Sequence, residues 1–154
     1  MTISTIDINR PPDEVFTYVT DPSRFGEWQH GVVSGHMDGD RPGEPGAKCV
    51  TVRRIGLAQR PVTAEVTRVD APRTWSVHGI DGPIRATVNV TVDPLETGRR
   101  SRVSIDIAFT GYGVGKLLVP LVVRPQADRE MRENLQRLKD RLESPATTGP
   151  KGSV

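Results

Sequence analysis

A chain of 154 residues amounts to about one domain, and folding at that length buries roughly 70% of the unfolded surface, enough for one core and too little for two. Its 35% apolar and 26% charged residues exclude both a disordered chain and a membrane-embedded one. The net charge is only +2 and aromatics are 5%, so there is no basic stripe with stacking rings and no nucleic-acid partner is expected.

Residues 2–8, Thr-Ile-Ser-Thr-Ile-Asp-Ile, are β-branched and predict a first strand. Pro11-Pro12-Asp13-Glu14 stops it and starts a helix, because proline at a first helical turn lacks only an N–H that has no partner there. Acids in that turn also oppose the helix dipole. Val15, Phe16 and Val19 then give one apolar face, predicting a short helix over 12–19. Asp21-Pro22-Ser23 repeats the start signal for a second short helix ending near Gly26.

From Val32 to Thr110 the pattern has period two. Ile84, Ala86, Val88, Val90 and Val92 alternate with Arg85, Thr87, Asn89, Thr91 and Asp93. Val103, Ile105, Ile107 and Phe109 alternate likewise with Ser104, Asp106 and their polar neighbours. Each run is a strand with one dry and one wet face, as in an antiparallel sheet covered on one side. Turn signals at 38–46, 56–60, 70–72, 81–83 and 94–98 divide the region into strands near 32–37, 47–55, 61–69, 74–80, 84–93 and 101–110. Arg99, Arg100 and Arg102 fall at a hairpin and read as solvated charge.

Beyond Gly111, Gly113 and Gly115 the chain turns helical. Leu117, Leu118, Leu121 and Val122 make an apolar patch, and Met131, Leu135, Leu138 and Leu142 continue on one face. A helix over 115–143 would run ~43 Å, with a kink in its first half from Pro120 and Pro125. Residues 1–143 are expected to form the domain and 144–154 a flexible tail. The longest apolar stretch, Leu117 to Val123, falls short of the ~20 residues that cross a bilayer, so no stable membrane insertion is expected. The N-terminus shows no apolar signal region, and the one cysteine, Cys49, leaves no internal disulfide; a cytoplasmic protein is the expectation.

A one-sided sheet needs a cover, and the C-terminal helix is the element long enough. The fold class is therefore α+β: a curved seven-stranded antiparallel sheet wrapped round a long C-terminal helix, with two short helices after strand 1. Inner positions are often small, as at Cys49, Thr51, Ala64, Gly79 and Ala86, and the chain has only three Phe and two Trp. That composition favours a hollow interior over a filled one.

These fragments together resemble the START-like helix-grip superfamily (SRPBCC), in the branch of polyketide cyclases, dehydrases and lipid transport. The carriers are Ile8-x-x-Pro11-Pro12-x-Glu14-Val15-Phe16, Thr20-Asp21-Pro22, Trp28, Pro45-Gly46-Ala47, Ala71-Pro72-Arg73 before Trp75, and Asn134-Leu135-x-x-Leu138-Lys139, over residues 3–143. The resemblance implies the helix-grip fold and a hydrophobic ligand. It does not choose among carriers, cyclases, hormone and allergen binders and toxin-like members.

The wall of such a cavity would be Trp28, Cys49, Thr51, Val66, Trp75, Val77, Ala86, Val88, Val90, Ile105, Ile107, Phe109, Leu117, Leu118 and Leu121. For the two tryptophans, packing of sheet against helix competes with stacking on a ligand. Acid–base chemistry would fall to Arg53, which shares parity with Cys49 and Thr51, with Tyr18 or Tyr112 assisting; the alternative for Arg53 is a side chain reaching out to the rim. Val50 and Val52 oppose the alternation there, so the facing of that strand is open.

Gly111 to Lys116 fits neither a phosphate loop nor a dinucleotide fingerprint. His30, His36 and His78 match no metal-ligand spacing, so neither a metal nor a cofactor is expected. The function expected is binding, or transport, of a lipid, sterol or polyketide by a monomer or homodimer. The alternatives are a polyketide cyclase/aromatase or dehydratase using polar cavity residues, and a toxin-like or regulatory interaction protein.

Overall fold

Alternating side chains build the sheet, and a computed structural model describes it over residues 2–39, 43–55, 57–82, 84–113, 116 and 124–144. Strand β1 is Thr2–Ile8, β2 Val32–Asp38, β3 Lys48–Ile55, β4 Ala58–Asp70, β5 Thr74–Gly79, β6 Ile84–Leu95 and β7 Arg100–Gly111. All neighbours are antiparallel, in the order β1-β7-β6-β5-β4-β3-β2. The first two strands in sequence, β1 and β2, thus form the two edges, because β1 adds beside β7 at the end of the β2–β7 meander. Helix α1 covers Pro12–Val19, a 3-10 helix covers Pro22–Glu27, and helix α2 covers Arg124–Glu143. Residues 117–123 of the expected long helix, with Leu117, Leu118 and Leu121, lie outside the described residues.

The strand limits differ from expectation where the register explains it. β4 starts at Ala58 despite Pro61, which pairs with Val52 of β3. β5 reaches β4 only as far as Gly79 opposite Ala64. Pro61 therefore has no β5 residue opposite it, and its missing N–H removes no ladder bond with β5. Pro94 of β6 likewise lies beyond the last pair with β5, Thr74 opposite Thr91.

Inner side chains of the sheet meet both helical layers. Val15, Phe16 and Val19 of α1, Phe25 of the 3-10 helix, Trp28, and Leu135 and Leu138 of α2 form one core with Ile8, Val66, Trp75, Val90, Val92, Val103 and Ile105. The Asp21 carboxylate caps the 3-10 helix by accepting from the Ser23 N–H at 3.0 Å. Polar staples hold α2 to the start of the chain. The Lys139 ammonium donates to the Asp7 carbonyl at 3.0 Å, and Glu143 accepts from the Asn9 N–H at 2.7 Å. Burial raises the Glu143 pKa, but Lys139 and the Asn9 N–H outweigh it and hold that carboxyl below its ordinary value.

One close approach fixes the 3-10 helix against β2. A Cβ on Gly35 would lie 2.4 Å from the Pro22 carbonyl oxygen and 3.0 Å from its carbon. Both are backbone atoms, so a Gly35→Ala chain must pry helix and strand apart. The expected loss is roughly 1–3 kcal/mol, read as a lower urea midpoint. An unchanged midpoint would mean that β2 moves freely there.

Candidate functional site

Residues opposite one another in a sheet share a face, so the register alone assembles the inner wall. One row runs Val66, Val77, Val88, Ile107, and the next Val69, Trp75, Val90, Ile105. Ala86 lies opposite Phe109 toward the end of the sheet where β6 begins. Burial changes along this wall. Trp75, Val77, Val90, Val92, Val103 and Ile105 are buried, whereas Val62, Ala64, Ala86, Val88, Ile107 and Phe109 are only half-buried. The wall is thus closed by α1, the 3-10 helix and the second half of α2 at one end, and partly uncovered at the other.

Beneath the start of α2 the described residues leave little room. A cavity of about 10 Å³ is lined by Ser4, Ile105, Ile107, Phe109, Ala127, Asp128 and Met131, space for about one water. The roomy volume expected between sheet and helix is not found at this place, because Met131 and the β7 side chains approach one another. Trp28 and Trp75 are 3% and 5% exposed and meet Phe25 edge-on, at 6.0 and 6.3 Å between ring centroids. Here they pack against protein.

Polar groups gather on β3. Cys49 and Thr51 are buried on the inner face, in line with Ala64 and Val62 of β4. Arg53 shares that face and turns inward rather than to the rim. Its Nε donates to Thr51 Oγ1 at 3.1 Å, and its terminal Nη2 donates to Gln29 Oε1 at 3.3 Å. Desolvation pulls the Arg53 pKa below the ordinary arginine value, opposed by Cys49 and Glu130. The thiol of Cys49 is pushed up to about 11 by burial, against the pull of the Arg53 charge, which favours the neutral thiol over the thiolate.

Gln29 was not singled out by the sequence. It follows the 3-10 helix in a loop without periodicity, where the Arg54 N–H donates to the Gly31 carbonyl at 2.7 Å. The same loop is tied to α2: Asn134 Oδ1 accepts from the His30 N–H at 2.9 Å, and Arg137 donates to the Trp28 carbonyl at 3.2 Å. The Trp28 indole N–H is buried without an acceptor among the described residues.

The two tyrosines lie elsewhere. Tyr18 Oη donates to Glu27 at 2.7 Å, with Arg24 over its ring at 5.4 Å and Arg141 on the same carboxylate at 3.2 Å. Burial and the Glu27 hydrogen bond push its pKa up to about 12. These groups line an open groove of about 650 Å³ beside α1, together with Arg10 and Glu14. Tyr112 is exposed, with Arg85 over its ring at 4.4 Å. Asp93 and Glu65 stand on the outer face in pairs with Arg73 and Lys48. Asp106 shares that face, although its Oδ1 is buried without a partner among the described residues. Among the described residues, no three His, Cys, Asp or Glu side chains come together as metal ligands.

An antiparallel sheet that grips a C-terminal helix, with two short helices closing one end and an apolar inner wall, defines a protein of helix-grip architecture. The chain belongs to the family described as polyketide cyclase / dehydrase and lipid transport, whose pattern matches residues 3–143. No curated protein matches the chain in sequence. Among solved structures it is similar to a conserved protein from Geobacillus kaustophilus, at 18% identity and a TM-score of 0.67, covering 91% of this chain and 93% of that one. A protein from Nitrosomonas europaea gives 15% and 0.70, covering 92% and 93%. The di-domain ARO/CYC StfQ from the steffimycin biosynthetic pathway gives 17% and 0.69, covering 93% of this chain and 44% of that one. These likenesses carry the fold.

Proposed function

We propose that the chain binds a hydrophobic small molecule of the lipid, sterol or polyketide kind, with its apolar body along Val62, Ala64, Ala86 and Val88 and an oxygen-bearing head at Arg53. The observation that carries this reading is the half-buried state of that apolar strip, on the same inner face as a desolvated guanidinium. Among the described residues Arg53 uses two of its five N–H groups on neutral acceptors, Thr51 and Gln29, and the others are donors suited to a carbonyl or carboxylate. Leu117, Leu118 and Leu121 belong to the proposal as further wall residues.

A second reading is favoured by the convergence of Arg53, Thr51 and Gln29. Donors held together in a water-poor site can polarise a ketone or enolate, the step that a cyclase or dehydratase needs. Binding is the common part of both readings and is tested first.

The test is native mass spectrometry of the protein from its own host, followed by thermal shift with fatty acids, sterols and aromatic polyketides. A ligand at a hundred times its Kd is expected to add about 2.7 kcal/mol of stability. Arg53→Met is expected to weaken a carboxylate-bearing or carbonyl-bearing ligand by roughly tenfold or more, the worth of a hydrogen bond to a charged group, while sparing a purely apolar one. A panel that leaves the melting temperature unmoved would end the reading. Turnover of an added poly-ketone, lost in Arg53→Met, would select the enzyme.

A further inference from the structure

Between Lys48 and Glu65 the chain carries Arg53, Arg54 and Arg60 and not one acidic residue. The same segment makes a projecting arm. β2 reaches β3 only as far as Val32 opposite Arg53, and β5 reaches β4 only as far as Gly79 opposite Ala64. β3 and β4 continue to pair beyond both limits, through Arg54 with Gln59 to Ile55 with Ala58. Backbone bonds tie β4 to the chain after β5 as far as Thr63, whose carbonyl accepts from the Ile80 N–H. They tie β3 to the chain before β2 as far as Arg54, whose N–H donates to the Gly31 carbonyl. The hairpin therefore projects by about 17 Å on its β4 side, at ~3.3 Å per residue, and by its last pair and turn on its β3 side. Arg54, Leu57, Ala58, Gln59 and Arg60 are exposed along it, and Leu57 at the tip is 108% exposed.

A single exposed leucine means little by itself. This one sits at the far end of an arm whose two strands each carry an exposed arginine three residues behind it. Arg54 stands one pair and Arg60 two pairs behind the terminal Ile55–Ala58 pair, about 3 and 7 Å of strand beyond the turn at ~3.3 Å per residue. These spans are comparable with the depth of roughly 5–10 Å at which apolar groups lodge at the headgroup–acyl boundary. With Leu57 at that boundary, Arg54 and Arg60 stand level with lipid phosphates. The absence of acids along the arm makes the match one of charge as well as depth.

We propose that the β3–β4 hairpin is a docking arm for an anionic lipid surface, with Leu57 as its wedge and Arg54 and Arg60 as its phosphate contacts. The docking stands without the interior site. Its use, presenting the uncovered end of the inner wall at Ala86 and Phe109 to the lipid, rests on the ligand-binding reading above. The arm and that rim lie at the same end of the sheet, since β3 and β7 finish there and β4 and β6 begin there.

Co-sedimentation of the full chain with vesicles tests this. The chain is expected to pellet with phosphatidylcholine vesicles containing phosphatidylglycerol, to stay in solution with phosphatidylcholine alone, and to be released by salt. Arg54→Gln and Arg60→Gln should each cut the partition coefficient about fivefold at low salt, and Leu57→Ser about tenfold. All three side chains are exposed, so melting temperatures and fatty-acid binding in solution should not move. That readout separates failure of the arm from failure of the interior site. A wild-type chain that ignores anionic vesicles overturns the proposal, including the case where the arm instead captures an acidic protein. Equal pelleting of wild type and the three variants overturns it too.

Discussion

Trp75→Ala is expected to cost about 3–5 kcal/mol of stability, the largest loss of any single change considered. Trp75 is 5% exposed near the start of β5, opposite Val90 on one side and Val69 on the other. Its ring meets Phe25 at 76°, and Phe25 meets Trp28 at 81°. Edge-to-face pairs add to simple burial, and alanine would forfeit both and leave a cavity between sheet and 3-10 helix. Denaturant unfolding followed by Trp28 fluorescence measures the loss. The competing assignment, a ring that forms the wall of a ligand space, makes a different forecast: a small change in stability and a large change in ligand affinity. A loss below about 1 kcal/mol, far under the range for a buried aromatic, would transfer Trp75 to that role.

Trp75 also shows why most of the fold was legible. On β5, β6 and β7 apolar and polar residues alternate across the central rows, with Ala108 as the exception on the outer face, so the inner face follows from parity. The pairs Val77–Val88 and Val90–Ile105 are those that parity requires. Helix α2 was legible for the same reason, with Met131, Leu135, Leu138 and Leu142 at helical spacing and all four turned toward the core. Expectation weakened on β3, where Val50 and Val52 face outward opposite His36 and Ser34. There the inner positions are Thr51 and Arg53, so the usual apolar-inside pattern is inverted by the polar site itself.

The unread parts share a physical cause. Gln29 meets Arg53 across 24 positions of sequence, in a loop whose conformation is set by Asn134 and Arg137 from α2. No local period encodes such a contact. Its one trace in the sequence is Asn134 within the carrier string Asn134-Leu135-x-x-Leu138-Lys139, a polar residue amid a core face. Gly35 left no trace, because its role is the Pro22 backbone lying where a side chain would be. The β3–β4 arm was read as a turn over 56–60, since Gly56 and Pro61 both signal a break; only the early ends of β2 and β5 let Pro61 remain in a strand.

Leu138→Ala should be the second most costly change, at about 2–5 kcal/mol. Leu138 is fully buried on α2 and Leu135 nearly so, while Leu142 one turn further is half-exposed and lines the open groove beside α1. The three leucines make an internal comparison in one helix. Removing Leu138 leaves a void with no route to solvent, so the full cavity cost applies; at Leu142 water enters and the cost should stay near 1 kcal/mol, the transfer term for part of a side chain. The polar staples of α2, Lys139 to the Asp7 carbonyl and Glu143 to the Asn9 N–H, survive both substitutions. Leu138→Ala should therefore keep α2 on β1 while loosening it over the core, giving a lower urea midpoint with an unchanged slope. A reduced slope would instead mean that α2 detaches, and that Leu138, not the staples, holds the helix on the sheet. Equal losses at Leu138 and Leu142 would contradict the burial gradient along α2 on which the closed end of the inner wall depends.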